Sequence, residues 1–104
     1  MQDFYVYILL CSDGSFYTGH TDNMEVRLSA HEQRLYPRCY TATRLPVKVV
    51  FVQETSSRGE ALEAEREIKG WTRKKKQALI DGDFEAINAL SISGIRRKLM
   101  KNQM

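Results

Sequence analysis

The chain has 104 residues, which allows one domain with one modest core and one site. Its composition is 42% hydrophobic, 28% charged and 10% aromatic, the profile of a globular domain rather than of a disordered, fibrous or membrane-spanning chain. The net charge of +3 is too small for a histone-like binder. Its distribution is more informative: Arg66, Lys69, Arg73, Lys74, Lys75 and Lys76 face a single acid, Glu67, between Arg66 and Lys76, and the tail after Ala86 holds Arg96, Arg97, Lys98 and Lys101 with no acid. Such blocks suit a polyanionic partner, or simply a solvated helix face and a loose basic tail. Cys11 and Cys39 form no C-x-x-C pair, so no zinc or redox motif is expected, and a reducing cytoplasm is the default compartment. Phe4–Leu10 is apolar but lacks a basic leader and is far too short to cross a bilayer; neither a secretory leader nor a membrane partner is expected.

In chain order, Phe4–Cys11 reads as a strand of aromatic and branched residues, Ser12-Asp13-Gly14 as a tight turn and Ser15–His20 as the returning strand. A two-residue Asp-Gly loop would pair Leu10 with Tyr17 and send Tyr7 and Tyr17 to opposite faces. A three-residue loop with Gly14 in the left-handed position pairs Leu9 with Tyr17 instead. Tyr5, Tyr7, Leu9 and Tyr17 then share one face, while Phe4, Val6, Ile8, Leu10 and Phe16 share the other. The second register is preferred because it separates an aliphatic face from a tyrosine-rich one.

Asp22 with Glu25 resembles a capping box opening a first helix, along which Met24, Leu28, His31 and Leu35 make one stripe with Arg27 on its flank. Arg34–Leu45 reads as a loop and Val47–Glu54 as a third strand. Ser57 and Glu60 form a second capping box, for a helix running to about Gly70. Thr72–Ile80 reads as a basic helix and Asp83–Leu90 as a further one, before a tail over 91–104. This order predicts an α+β fold, a small three-stranded antiparallel sheet flanked by helices, with residues 1–82 as the domain and 83–104 as its helical, basic extension.

Three features stand out. On a wheel of the second helix, Ala61, Leu62, Ala64, Ile68 and Trp71 define the apolar face and Glu65 falls at its edge. A carboxylate held there needs a cation, donors or a metal; a rim glutamate paired with a basic neighbour is the plainer reading. His31 on an apolar stripe is either a satisfied core residue or a catalytic one, and Arg27 is either a surface arginine or its partner. Strand tyrosines such as Tyr5, Tyr7 and Tyr17 ordinarily pack.

Taken together, these residues resemble a known family. Tyr5-Val6-Tyr7 followed by Tyr17-Thr18-Gly19 looks like the two half-motifs of the GIY-YIG nuclease family, with Thr18 in place of isoleucine and Tyr5 in place of glycine. Arg27 matches the arginine of the family's first helix. Glu65, within Glu60-Ala61-Leu62-Glu63-Ala64-Glu65, matches its metal-binding glutamate, and His31 matches a histidine that some restriction-type members carry one turn after the arginine. The resemblance covers about Phe4 to Ile80 and is nearest to the short stand-alone bacterial proteins of the YhbQ-like group.

The resemblance implies a metal-dependent endonuclease that hydrolyses DNA phosphodiester bonds in DNA repair or processing. Its catalytic residues would be Tyr7, Tyr17, Arg27, His31 and Glu65. Glu65 would hold a single Mg²⁺ or Mn²⁺ with phosphate and waters completing the shell. Arg27 would fork onto phosphate oxygens. Tyr7, as the favoured base, and Tyr17 would orient the attacking water. A phenol with a pKa near 10 is a poor base unless a cation lowers it, a task for Arg27, with His31 relaying the proton. Lys69, Arg73, Lys74, Lys75 and Lys76 would contact the nucleic-acid backbone without reading bases, which favours structure-selective action on branched, nicked or single-stranded DNA. Trp71 is either core or a stacking platform. The alternatives are a catalytically silent nucleic-acid-binding module of the same fold and an adaptor for an acidic protein.

Overall fold

The computed structural model of the chain describes residues 3–35 and 37–83; the helix expected after Asp83 and the basic tail lie outside them. The described residues form β1 (Phe4–Leu10), β2 (Phe16–Thr21), α1 (Met24–Glu32), a short 3₁₀ helix (Tyr40–Thr43), β3 (Lys48–Thr55), α2 (Arg58–Lys69) and α3 (Arg73–Asp81). The sheet is antiparallel in the order β2-β1-β3, so the most apolar strand is central and the two more polar ones form edges. This is the α+β architecture the element order predicts.

The hairpin adopts the three-residue loop. Gly14 sits at φ 84°, a left-handed conformation that costs glycine least. The loop closes through Gly14 N–H to the Cys11 carbonyl at 2.9 Å and Cys11 N–H to the Ser15 carbonyl at 2.8 Å. Leu9 therefore pairs with Tyr17 and Tyr7 with Gly19. Alternation then gives each face its own task. Val6 and Ile8 turn toward the helices and meet Ala64, Ile68 and Leu79 in the core, with Phe16, Phe51 and Trp71 packed around them. Tyr7, fully buried, turns the other way, toward α1 and the 3₁₀ helix. Trp71 is thus a packing residue.

Local chemistry accounts for the helix ends. The cap of α1 is Asn23, not Asp22: its side chain accepts from Val26 N–H at 3.1 Å. The helix stops at Glu32 in a Schellman turn, in which Arg34 N–H bonds the His31 carbonyl at 3.1 Å and Leu35 N–H the Ala30 carbonyl at 2.9 Å. This turn puts Arg34 at φ 55° and swings Leu35 out of the expected stripe, leaving it 62% exposed. Ser57 caps α2 as expected, accepting from Glu60 N–H at 3.1 Å, while the Glu60 carboxylate accepts from the Ser56 hydroxyl at 2.6 Å. Thr72 caps α3, and Gly82, left-handed at φ 72°, ends it. The segment expected as loop contains the 3₁₀ helix. Arg44 fastens that helix to the hairpin through Asp13 at 2.9 Å, the Tyr40 carbonyl at 2.7 Å and the Tyr40 ring, and the Arg44 carbonyl accepts from Ser12 N–H at 2.9 Å.

Candidate active site

Tyr7 is placed by its strand, and its ring finds room because the residue opposite has no side chain. A Cβ on Gly19 would lie 2.5 Å from the Tyr7 hydroxyl oxygen and 2.7 Å from its ring carbon Cζ, closer than nonbonded atoms tolerate. The hydroxyl passes over Gly19 and meets two groups of α1. Arg27 Nε donates to it at 3.3 Å, and it lies 3.0 Å from His31 Nε2. Arg27 and His31 are one turn apart, so both point at the same phenol. On the far side of the imidazole, Nδ1 lies 2.8 Å from the Thr41 hydroxyl, which donates onward to Cys39 Sγ at 3.6 Å. Tyr17 completes the cluster: its ring centroid is 5.2 Å from that of His31, edge-on, and 6.3 Å from that of Tyr7, with the Cys39 thiol near enough to influence its ionisation.

Burial sets the protonation states. It pushes the Tyr7 phenol above its ordinary value, and the hydrogen bond and charge of Arg27 only partly offset this. Arg27 acts in the expected direction but does not win: removing a phenolate from water costs more than one nearby guanidinium returns. Tyr17 is pushed far above the ordinary phenol range, first by burial, then by Tyr7 and Cys39 beside it. Both tyrosines are neutral near pH 7. Burial and the Arg27 charge both lower His31, so the imidazole, 2% exposed, is neutral as well. Burial also raises the Cys39 thiol, but the amide and hydroxyl of Thr41, the Tyr17 hydroxyl and the Arg27 charge together leave it below its usual value.

Glu65 stands apart from this cluster. It projects from the edge of α2's apolar face, its side chain 13% exposed, and accepts from His20 Nδ1 at 3.1 Å, with Lys69 Nζ 3.7 Å from its other oxygen. His20 pairs with Val6, and so points to the helical side of β2, whereas Tyr17 and Gly19 point to the tyrosine side. Tyr7, Tyr17, Arg27 and His31 are therefore in direct contact, while Glu65 sits across the same edge strand. The link runs round that edge. Lys69 Nζ is 6.0 Å from the Tyr17 ring centroid, and the Glu65 charge is near enough to raise Tyr7 slightly.

Of the expected backbone-binding residues, Lys69 borders the site. Arg73 is engaged by the fold, donating to the Gly14 carbonyl at 2.7 Å and covering the Phe16 ring at 4.4 Å. Lys74 is exposed and Lys75 half-buried. Lys76 is half-buried and lowered, first by burial and then by Lys69 nearby. Sequence reasoning missed His20, Thr41 and Cys39. For His20 a signal existed: strand alternation puts it beside Glu65's helix. Thr41 and Cys39 lie in an aperiodic segment whose path no local pattern encodes.

The donor set suits a hard divalent cation brought in with its substrate. Among the described residues no three His, Cys, Asp or Glu side chains converge as a cage, and Glu65, the carboxylate beside the edge strand, is anchored through one oxygen by His20. Magnesium sites of this kind use one or two carboxylates with substrate phosphate and water.

This constellation agrees with what comparison finds. The description "GIY-YIG catalytic domain" matches residues 3–78. The chain belongs to the GIY-YIG family, a family of nuclease domains. Among its relatives it is 42% identical over 81 residues to UPF0213 protein SH2523 of Staphylococcus haemolyticus, which spans 78% of this chain and 98% of that protein. It is 40% identical over 80 residues to a UPF0213 protein of Lacticaseibacillus paracasei, spanning 77% and 89%. Two solution NMR structures are similar. The UPF0213 protein BH0048 of Bacillus halodurans has a TM-score of 0.51 at 36% identity, over 88% of this chain and 99% of that one. Protein EF2693 of E. faecalis has a TM-score of 0.55 at 32% identity, over 89% and 94%. No helix among the described residues is long and apolar enough to cross a membrane.

Proposed function

We propose that the protein is a divalent-metal-dependent endonuclease that hydrolyses DNA phosphodiester bonds, selecting DNA by structure rather than sequence, in repair or processing. Residues 1–82 form the nuclease domain and 83–104 its basic extension. The observation that carries this reading is the hydrogen-bonded run Arg27–Tyr7–His31, a cation, a phenol and a neutral base in series. Neither phenol is ionised at neutral pH, so a resident tyrosinate is not the base. Tyr7, closed to solvent in the free protein, takes the proton of the attacking water once bound substrate brings that water to its oxygen, as its own proton passes to His31 Nε2, a transfer for which the 3.0 Å separation is suited. Tyr17, packed against His31 and Tyr7, positions that water. Arg27 compensates the charge on Tyr7 during transfer and binds a phosphate oxygen. Glu65 holds a single Mg²⁺ or Mn²⁺, oriented by His20; a bound ion supplies charge relief on the phosphoryl oxygens. Lys69, exposed over half its side chain, turns from Glu65 to the DNA backbone, joined by Lys74, Lys75 and Lys76.

One observation favours a second reading. Glu65 is already matched to His20 and Lys69, as in a nucleic-acid-binding module without turnover. The two readings part in a cleavage assay on plasmid, nicked and branched DNA with Mg²⁺, with Mn²⁺ and with chelator. The nuclease reading expects ion-dependent cleavage, at least about 100-fold slower in Glu65→Gln with an unchanged circular dichroism spectrum. Absence of cleavage on every substrate with either ion, together with salt-dependent binding, replaces it with the binding module.

A further inference from the structure

The hydrogen bonds around His31 carry a direction, and that direction can be traced from one end. An arginine Nε–H donates and never accepts. At 3.3 Å from the Tyr7 hydroxyl it makes the phenol oxygen the acceptor, which leaves the single phenol proton for His31 Nε2 at 3.0 Å. Nε2 must then present a lone pair. A neutral imidazole with a bare Nε2 carries its proton on Nδ1, and Nδ1–H has a receiver 2.8 Å away in Thr41 Oγ1. The Thr41 hydroxyl proton is directed in turn to Cys39 Sγ at 3.6 Å, so the oxygen is available to accept. Every group in the run Arg27–Tyr7–His31–Thr41–Cys39 then has one consistent role, whereas the reversed run has the Tyr7 oxygen accept from both Arg27 and His31 and leaves the buried phenol proton without an acceptor within the run.

From this we infer that Thr41 is a positioning residue that holds His31 in its Nδ1–H tautomer, and thereby makes Tyr7, not Tyr17, the tyrosine that hands a proton on. The inference deepens the nuclease reading and rests on it for its kinetic arm only. Thr41 does not touch the reacting atoms; it acts through the imidazole. It is itself buried and held by the 3₁₀ helix, which Arg44 pins to the hairpin, so the receiver is rigidly presented. Without it, Nδ1–H would keep only the long contact to Cys39 Sγ at 4.0 Å, a much weaker acceptor. The tautomer with the proton on Nε2 would then compete, setting N–H against the Tyr7 O–H and closing the outlet for the water's proton. Tyr17 meets the imidazole only through its ring, edge-on at 5.2 Å between centroids.

The chain has two histidines, which makes the tautomer directly readable. A long-range ¹H–¹⁵N spectrum of the uniformly labelled full chain, with His20→Gln to assign the two rings, should show His31 protonated at Nδ1 and bare at Nε2 near pH 7.5. A wild-type ring protonated at Nε2 instead overturns the proposal, whether or not the protein cleaves DNA. In Thr41→Val the ring should shift toward the Nε2–H form, and kcat should fall at least about tenfold with KM within about twofold. Thr41→Ser should restore both tautomer and turnover. Wild-type turnover with an unchanged tautomer in Thr41→Val overturns the assignment, as does a folded Thr41→Ser that fails to restore the Nδ1–H form. If Thr41→Val does not fold, the wild-type and Thr41→Ser spectra still decide the question. If the wild-type chain cleaves nothing while its tautomer is as expected, the nuclease reading fails and the role of Thr41 in setting the histidine stands.

Discussion

Tyr7 and Gly19 lie opposite each other on neighbouring strands, and the missing side chain of one is the space occupied by the other. The last residue of the Tyr17-Thr18-Gly19 motif is therefore a steric requirement at an ordinary backbone conformation. Gly19→Ala should displace the Tyr7 hydroxyl from both Arg27 and His31. The expected outcome is a loss of cleavage of at least about 100-fold, with destabilisation of about 1–3 kcal/mol from overpacking; single-turnover kinetics and urea melts on the same variant check both. Unimpaired turnover in Gly19→Ala would remove the Tyr7 hydroxyl from the mechanism. The motif tyrosines and Arg27 could be recognised through the resemblance to the GIY-YIG family, not from packing arguments, which assign such tyrosines to the core. The role of Gly19 could not, because a strand pattern does not say whose ring crosses whose backbone.

Elements bring these residues together through their ends more than their middles. Helix α1 is nine residues long, too short to be stable alone, and carries both Arg27 and His31. It is held by the Asn23 cap and by a Schellman turn that forces Arg34 into the left-handed region. An L side chain there costs about 1–2 kcal/mol, partly offset on replacement by the greater entropy of glycine. Arg34→Gly should therefore raise stability by about 0.5–1 kcal/mol, seen as a few degrees in the melting temperature, without altering kcat; a lower melting temperature would contradict the strain assigned to Arg34. Cap shifts of one residue, Asn23 for Asp22, are typical of what a local pattern leaves open, since adjacent side chains can offer the same acceptor. The expected stripe continued to Leu35 because an apolar period carries no stop signal; the backbone turn at Arg34 supplies the stop.

For the molecule as a whole, the buried His31 links the site to stability. Its pKa in the folded state lies below the ordinary value of about 6.5, so the unfolded chain takes up a proton at a pH where the folded chain resists it. Stability from this group is present above pH 6.5 and is lost as pH falls from there through the folded-state value. Urea unfolding free energies should decline from pH 7 to pH 5, and less steeply in His31→Asn; equal slopes in the two proteins would show that the imidazole is not the linked group. Cleavage at saturating metal ion should share this acid limb. Neither Tyr7 nor Tyr17 should ionise below pH 10, because burial raises both.

The strand and helix order and the hairpin register were written in local patterns: alternation, turn residues and caps, each a property of neighbours along the chain; the motif residues were legible through their resemblance to a known family. Three things were decided only by folding. One was that Tyr7, Arg27, His31 and Thr41 form a directed run of hydrogen bonds. Another was that burial outweighs Arg27 in setting the tyrosine pKa values. The third was that Glu65 meets His20 on the far side of the edge strand. All three depend on side chains 10 to 45 residues apart in sequence and on how much water is removed between them. No pattern of adjacent residues encodes either quantity.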